Sequence, residues 1–378
     1  MQVSMLDLVG QQEALGAEFV DTLLSVVRTA SYVSDGKPTS FERSLARYCK
    51  RQHAVGVASG TAALHLALLA AGIGPGDEVV TVPNSFFATT EAILLTGARP
   101  VFCDVEAETH LMDIEHAIAL VTDKTKAVLP VHLYGQIVDI NGLRSRLELA
   151  GRGAVLIIED CAHAVGGQYC GTPVPLGDIG CFSFNPGKNI GGVSDAGAVV
   201  TDDDAIAAMV AGLRDHGRVE KNRHDVAGFN VRLSTLNARI LDLKLARLDE
   251  WNGRRREIAE RYDQAFNQTP HIRPIRPRLD TLPAYHQYVI ALDDRDGLRN
   301  YLAQRGIASA IHYPTLIPDQ KPVRGLGVEG LSIPVARGLS PKIVSLPCHP
   351  QLTDSQADVV IEAVTTFCRE SQVIAEAM

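Results

Sequence analysis

The chain has 378 residues, of which 46% are hydrophobic and 21% charged, with 32 Gly and 19 Pro. This is the make-up of a globular protein of about two domains, and it excludes disordered, collagenous and coiled-coil chains. With 36 basic against 44 acidic residues the net charge is −8, and there is no Lys/Arg-rich arm, so neither nucleic acid nor a membrane surface is expected as a partner.

In chain order, Met1–Gly10 carries Asp7 and no basic residue ahead of an apolar run, which argues against a secretory signal. Gly60–Ala71 predicts a buried helix, Val79–Val82 a strand, Phe86–Leu95 a helix and Pro100–Cys103 a strand. Ile114–Val121 and Ile140–Leu149 predict helices, with strands at Ala127–Val131 and Ala154–Ile158. Cys181–Phe184 and Ala198–Thr201 are the last strands of this half. These strands are apolar throughout, as a sheet covered on both faces requires, and their alternation with helices predicts a mainly parallel α/β sheet. The most apolar stretch, Ala62–Ala71, is about half a membrane span and contains His65, so no membrane-spanning segment is expected.

The composition then changes. Leu241–Ala265 predicts one long charged helix, followed by a Pro-rich loop from Pro270 to Pro283. A strand at Tyr285–Leu292 and helices at Gly297–Gln304 and Asp354–Phe367 complete the pattern. This divides the chain into a large domain over 12–250, with an N-terminal helical segment, and a smaller C-terminal α/β domain over 251–378. Cys49, Cys103, Cys161, Cys170, Cys181, Cys348 and Cys368 form no CxxC pair, which fits reduced thiols in a cytoplasmic protein.

In open α/β sheets, ligands bind beyond the carboxyl ends of the strands. Glu159-Asp160-Cys161-Ala162-His163 follows one strand, His132-Leu133-Tyr134 another, and Asn185-Pro186-Gly187-Lys188 a third. Ser59-Gly60-Thr61 opens the first buried helix, where free N–H groups suit a phosphate, although an ordinary helix cap has the same look. A P-loop ending in Gly187-Lys188 would need Gly where Phe182 stands and Ser or Thr where Asn189 stands, so a kinase or ATPase is rejected. Cys161-x-His163 fits no common zinc spacing, and no metal site is expected. No GxSxG motif supports a hydrolase. A lysine at a low-dielectric strand end suits a Schiff-base nucleophile, while Asp160 suits either a structural carboxylate or a catalytic one. Together with the cradle they are the parts that a pyridoxal phosphate (PLP) enzyme needs.

VASGTAALHLALLAAGIGPGDEVV, PVHLYGQIVDI, IIEDCAHAVGG, LGDIGCFSFNPGKNIGG with DAGAVVTDD, GFNVRLSTLNARILDLKLARLDEW, IHYPTLIP and LPCHPQLTDSQ occur in this order. Over about residues 12–367 the chain thus resembles the DegT/DnrJ/StrS family of PLP-dependent sugar aminotransferases. The resemblance implies fold type I, the aspartate-aminotransferase-like fold, in a homodimer with shared active sites. Lys188 matches the lysine that forms the internal aldimine, and Asp160 the acid at the pyridine nitrogen. His163 occupies the position beside the phenolic oxygen, and Phe87 matches the ring stacked on the cofactor. Gly60, Thr61 and Ser183 match phosphate contacts, beside Ser59 of the helix-start cradle, and Asn230 matches an asparagine that reaches the neighbouring subunit's phosphate.

The implied reaction is ping-pong transfer of an amino group from glutamate or glutamine to a nucleotide-linked 3- or 4-keto-deoxyhexose. Amination of a keto-cyclitol and a non-catalytic PLP-binding regulator are the alternatives. Relatives that dehydrate sugars carry His at the lysine position, which Lys188 argues against. Asn185 stands where Tyr or His is commoner, and GVSDAG replaces a glycine–acid–glycine turn, so acceptor choice stays open. The DAGAVVT ending leans towards amination at C3.

Overall fold

Seven strands form the central sheet: β1 (His53–Val57), β2 (Glu78–Thr81), β3 (Arg99–Phe102), β4 (Thr125–Leu129), β5 (Leu156–Asp160), β6 (Ile179–Ser183) and β7 (Gly197–Thr201). The computed structural model to which they belong describes residues 2–33, 39–327 and 331–377. The spatial order is β1-β7-β6-β5-β4-β2-β3. From β6 to β3 neighbouring strands run parallel, while β7 is antiparallel to both β6 and β1. Two separate cores cover the two faces. In β7, Val199 joins one core while Ala198 and Val200 join the other, the two-residue alternation of a strand buried on both sides.

The helix Gly60–Ala70 is almost wholly apolar and packs in the first core through Leu64, Leu66 and Leu68. Phe87–Thr96 packs beside it and ends at Gly97, whose φ of +82° closes the helix in the left-handed conformation. On the other face lie Ser40–Tyr48, started by a Thr39/Glu42 capping box, and Thr235–Leu245.

A third core lies around the antiparallel strands Arg273–Pro274, Tyr288–Ala291 and Ile343–Leu346. Tyr262 and Phe266, Leu298 and Leu302, and Val360 and Val364 back it from three helices, Leu248–Phe266, Arg295–Gln304 and Asp354–Ala377. Val3 belongs to this core as well. It bridges Ile307, its N–H donating to the Gly306 carbonyl at 2.9 Å, and it is fully buried.

Several features differ from the sequence reading. The strand expected at Ala154–Ile158 is Leu156–Asp160, so Glu159 and Asp160 are its last residues and pair with Gly180 and Cys181 of β6. Their carboxylates, apparent loop residues, are strand residues because each finds polar partners. The strand expected at Ala127–Val131 likewise lies two residues earlier. The single charged helix is two, Thr235–Leu245 and Leu248–Phe266, and no Pro or Gly marks the break at Ala246–Arg247. β1 has no counterpart in the sequence reading. No helix among the described residues is long and apolar enough to cross a membrane.

Candidate active site

At the carboxyl edge of the parallel strands lies a cavity of about 620 Å³. Ser59, Gly60, Thr61, Asp160, His163, Ser183 and Lys188 all line it. One end is the start of the Gly60–Ala70 helix. Ser59 caps it by accepting the Ala62 N–H at 3.1 Å, and the Gly60 and Thr61 N–H groups take no partner among the described residues. Gly60 sits so close to β6 that an added Cβ would be 2.6 Å from the Ser183 Cβ. A helix start held this tightly beside a serine presents dipole, N–H and O–H groups to an anion.

Lys188 follows β6 in a turn closed by its own N–H donating to the Asn185 carbonyl at 2.8 Å. Burial lowers its pKa to about 8, against the opposing pull of Asp160. The second buried lysine, Lys244, does not line the cavity.

Asp160 ends β5. Its two oxygens accept the Thr89 hydroxyl at 2.8 Å and the Ala162 N–H at 3.1 Å. Thr89 is also 2.8 Å from the Ser85 hydroxyl; since Thr89 donates to Asp160, Ser85 donates to Thr89. Burial pushes the Asp160 carboxyl up, opposed by Thr89, Ala162, Lys188 and His132 in that order. A carboxylate so placed favours a cation facing it. His163 is buried, and its Nδ1 accepts the Tyr134 N–H at 3.2 Å, so Nε2 carries the proton in the neutral ring. Burial and then Lys188 hold its pKa well below the ordinary value.

Glu159 points away from Asp160, as adjacent strand residues must. It bonds His132 at 2.7 Å and accepts the Leu176 N–H at 2.6 Å and the Gly177 N–H. His132 Nδ1 accepts the Val138 N–H, so Nε2 is the donor to Glu159. His132, Glu159 and Cys161 do bring ligand atoms within 4.8 Å of one another. The imidazole and carboxylate are nonetheless engaged in hydrogen bonds that tie β4, β5 and the 176–177 turn together, which is a structural use.

Phe87 does not line this chain's cavity, and neither does Asn230, which the resemblance assigns to the neighbouring subunit's phosphate. Phe87 packs beside Phe102, Ile317 and Val323, and the ring facing the cavity is Phe86. The helix starts at Phe87, which turns this side chain onto the third strand, while Phe86, one residue earlier in extended backbone, stays 56% exposed and lies 5.6 Å from Tyr313. Asn230 is exposed, outside this chain's cavity, and accepts from Arg232 at 2.8 Å. The sequence reading missed Ser85, Thr89 and Phe86, although Thr89 falls one helical turn after Phe86, on the face of the helix start. It also missed the wall opposite the sheet: His286, Gln287, His312 and Tyr313, with Met5 and Leu6.

A parallel sheet bearing a lysine and an aspartate at its carboxyl edge is here the architecture of an aspartate-aminotransferase-like transferase. The chain belongs to the DegT/DnrJ/EryC1/StrS aminotransferase family, whose model matches residues 13–365. The family is PLP-dependent, and this protein is an aminotransferase. It is 38% identical over 364 residues to the dTDP-3-amino-3,4,6-trideoxy-alpha-D-glucose transaminase of Streptomyces venezuelae, covering 96% of this chain and 95% of that one. It is 37% identical over 372 residues to a pleiotropic regulatory protein of Geobacillus stearothermophilus, covering 98% and 99%. The structure of S. venezuelae DesV in complex with a ketimine intermediate superposes with a TM-score of 0.93 at 37% identity, covering 97% of this chain and 98% of that one.

Proposed function

We propose that this protein transfers an amino group from glutamate or glutamine to C3 or C4 of a nucleotide-linked keto-deoxyhexose. The observation that carries this reading is the cavity, which brings Lys188, Asp160, His163 and the Ser59–Thr61 cradle into one room. The relative named for a dTDP-linked 3-amino sugar supports the acceptor class and favours C3.

The residues fit PLP. Ser59, Gly60, Thr61 and Ser183 would hold its phosphate, Asp160 its ring nitrogen, His163 its phenolic oxygen and Phe86 a ring face. When bound, PLP supplies an electron sink for the pair left on the substrate carbon. Lys188 has the nucleophile's place, and in each half-reaction its Nζ would carry the proton between the substrate carbon and the cofactor's carbonyl carbon, for which a pKa of about 8 leaves part of the amine neutral at physiological pH. Asp160, anchored by Thr89 and the Ala162 N–H, keeps a proton on the nitrogen opposite it. His163, with Nδ1 taken by the Tyr134 N–H, keeps Nε2–H as its ring donor.

Asn230 is exposed and outside its own chain's cavity, the placement of a residue that serves a second copy's site. On this reading the active unit is a two-fold dimer, and a mixed dimer of Lys188→Ala and Asn230→Ala keeps one intact site. The setting is cytoplasmic, with all seven cysteines as free thiols.

The test starts from enzyme converted to the pyridoxamine phosphate form by glutamate or glutamine. Nucleotide-linked 3-keto and 4-keto hexoses and keto-cyclitols are then screened for return of the pyridoxal absorbance. Return with a keto-cyclitol alone would replace the acceptor proposed here. If neither donor converts a normally PLP-loaded protein to the pyridoxamine phosphate form, a regulator is favoured.

A further inference from the structure

Lys244 is a buried cation that the reaction does not use. It is 3% exposed, and its Nζ donates to the Gln11 side-chain oxygen at 2.8 Å and the Gly191 carbonyl at 2.7 Å. Neither acceptor is charged. An ammonium taken out of water without an anion is costly, and a methionine would fill the same space without that cost. What Lys244 does have is a grip on the loop that carries Lys188.

The loop turns back on itself. An added Cβ on Gly191 would be 2.5 Å from the Pro186 carbonyl oxygen and 2.6 Å from that of Asn185. The same Asn185 carbonyl accepts the Lys188 N–H. The Gly191 peptide therefore lies directly beneath the turn that aims the lysine, and a shift of one moves the other. Asn237, two helical turns before Lys244 on the same face of Thr235–Leu245, grips the next residues: its side chain accepts the Val193 N–H at 3.0 Å and donates to the Asp195 carbonyl at 2.9 Å. Gln11 completes the arrangement. It accepts from Lys244, and its amide reaches the Asn189 carbonyl at 3.5 Å. Gln11 lies before residue 13, where the family match begins.

We propose that Lys244 and Gln11 form a clamp that sets the position of the Lys188 loop, with Lys244 the principal positioning residue. Lys188 stays the reacting group; Lys244 acts through the Gly191 carbonyl and, by way of Gln11, through the Asn189 carbonyl. The inference rests on the role proposed for Lys188.

The test compares wild type, Lys244→Met and Gln11→Leu. For each, the rate constant for covalent attachment of added PLP is measured by absorbance at saturating concentration, beside the melting temperature and a borohydride-trapped peptide map. Lys244→Met is expected to fold and melt within about 5 °C of wild type. Its attachment rate is expected to fall about tenfold, because a small displacement of a reacting group is expensive. Gln11→Leu, which leaves the Gly191 contact in place, should slow attachment about threefold, by the same argument of loosened support. A merely structural role would lower the melting temperature and leave the saturated rate unchanged; that result overturns the clamp. If Lys244→Met does not fold, Gln11→Leu decides, a wild-type rate overturning the proposal and a slowed one supporting it. A label on Lys188 with wild-type rates in the variants defeats the clamp alone, whereas a label on another lysine removes the proposed role of Lys188.

Discussion

The sheet-side wall of the cavity and the wall facing it are built in different ways. On the sheet side, Ser59–Thr61, Asp160, His163, Ser183 and Lys188 each lie within a few residues of a strand end or helix start. On the facing side, His286 and Gln287 precede one strand of the third core, Leu346 ends another, and His312 and Tyr313 lie on a loop between them. Met5 and Leu6 join from the other end of the chain. The first wall concentrates charge at fixed backbone points, and the second is assembled by long-range docking. The chemistry should therefore be sensitive on the sheet side, while the surroundings should answer mainly in stability.

The largest effect is expected from Lys188→Ala. It should abolish covalent attachment of PLP, leaving phosphate-held cofactor that gel filtration slowly removes; borohydride labelling elsewhere in the variant would break the assignment. Asp160→Asn should retain PLP yet slow transamination about a hundredfold, since an amide cannot keep the opposed nitrogen protonated. His163→Ala should be milder, at roughly tenfold. A reversed ranking of the two in single-turnover rates would exchange their roles.

His132 sharpens the contrast because it lies one strand from Asp160 and faces away from the cavity. His132→Ala takes the imidazole from the buried Glu159 carboxylate, which keeps the Leu176 and Gly177 N–H groups, and should cost about 2 kcal/mol of stability, read as a lower urea midpoint, while PLP attachment per folded molecule stays unchanged.

The histidines outside the sheet-side wall set an acid limit. Burial lowers His110, His312 and His349 to about 4 from an ordinary value near 6.5. Between those values the unfolded chain binds protons that the folded one does not, so stability must fall as pH drops from 6.5 towards 4. Melting temperatures across pH 7.5 to 5 should show that fall, and His349→Leu should flatten it.

The smallest effect separates two neighbours. Phe86→Leu should loosen PLP retention a few-fold with little change in melting, whereas Phe87→Leu should cost about 1 kcal/mol of stability and leave retention alone. The opposite pattern would return the cofactor-facing role to Phe87.

Much of the scaffold is legible in the chain. The helix Ile140–Leu149 falls where its apolar spacing places it, and Gly60–Ala70 within one residue. Both begin at a capping side chain, Asp139 and Ser59, ahead of an apolar-rich run, which are signals carried by neighbouring residues. Strand ends are less legible. Glu159-Asp160 looks like a loop because charge at a buried position is costly unless partners exist, and those partners, Thr89, His132 and the 176–177 turn, are distant in sequence. The choice between Phe86 and Phe87 turns on the residue at which the helix starts, a matter of one residue that composition does not resolve.

The sequence by itself determined the family, the α/β alternation and the residues of the sheet-side wall, because these depend on short-range motifs at strand ends. Tertiary structure alone decided that Val3 pairs with Ile307 and that Met5 and Leu6 reach the cavity. It also decided that Lys244 lies beneath the Lys188 loop and that Glu159 and Asp160 serve opposite faces of one strand. Each of these contacts joins segments far apart in the chain, where the free energy of burial and pairing, rather than any local preference, selects the partner.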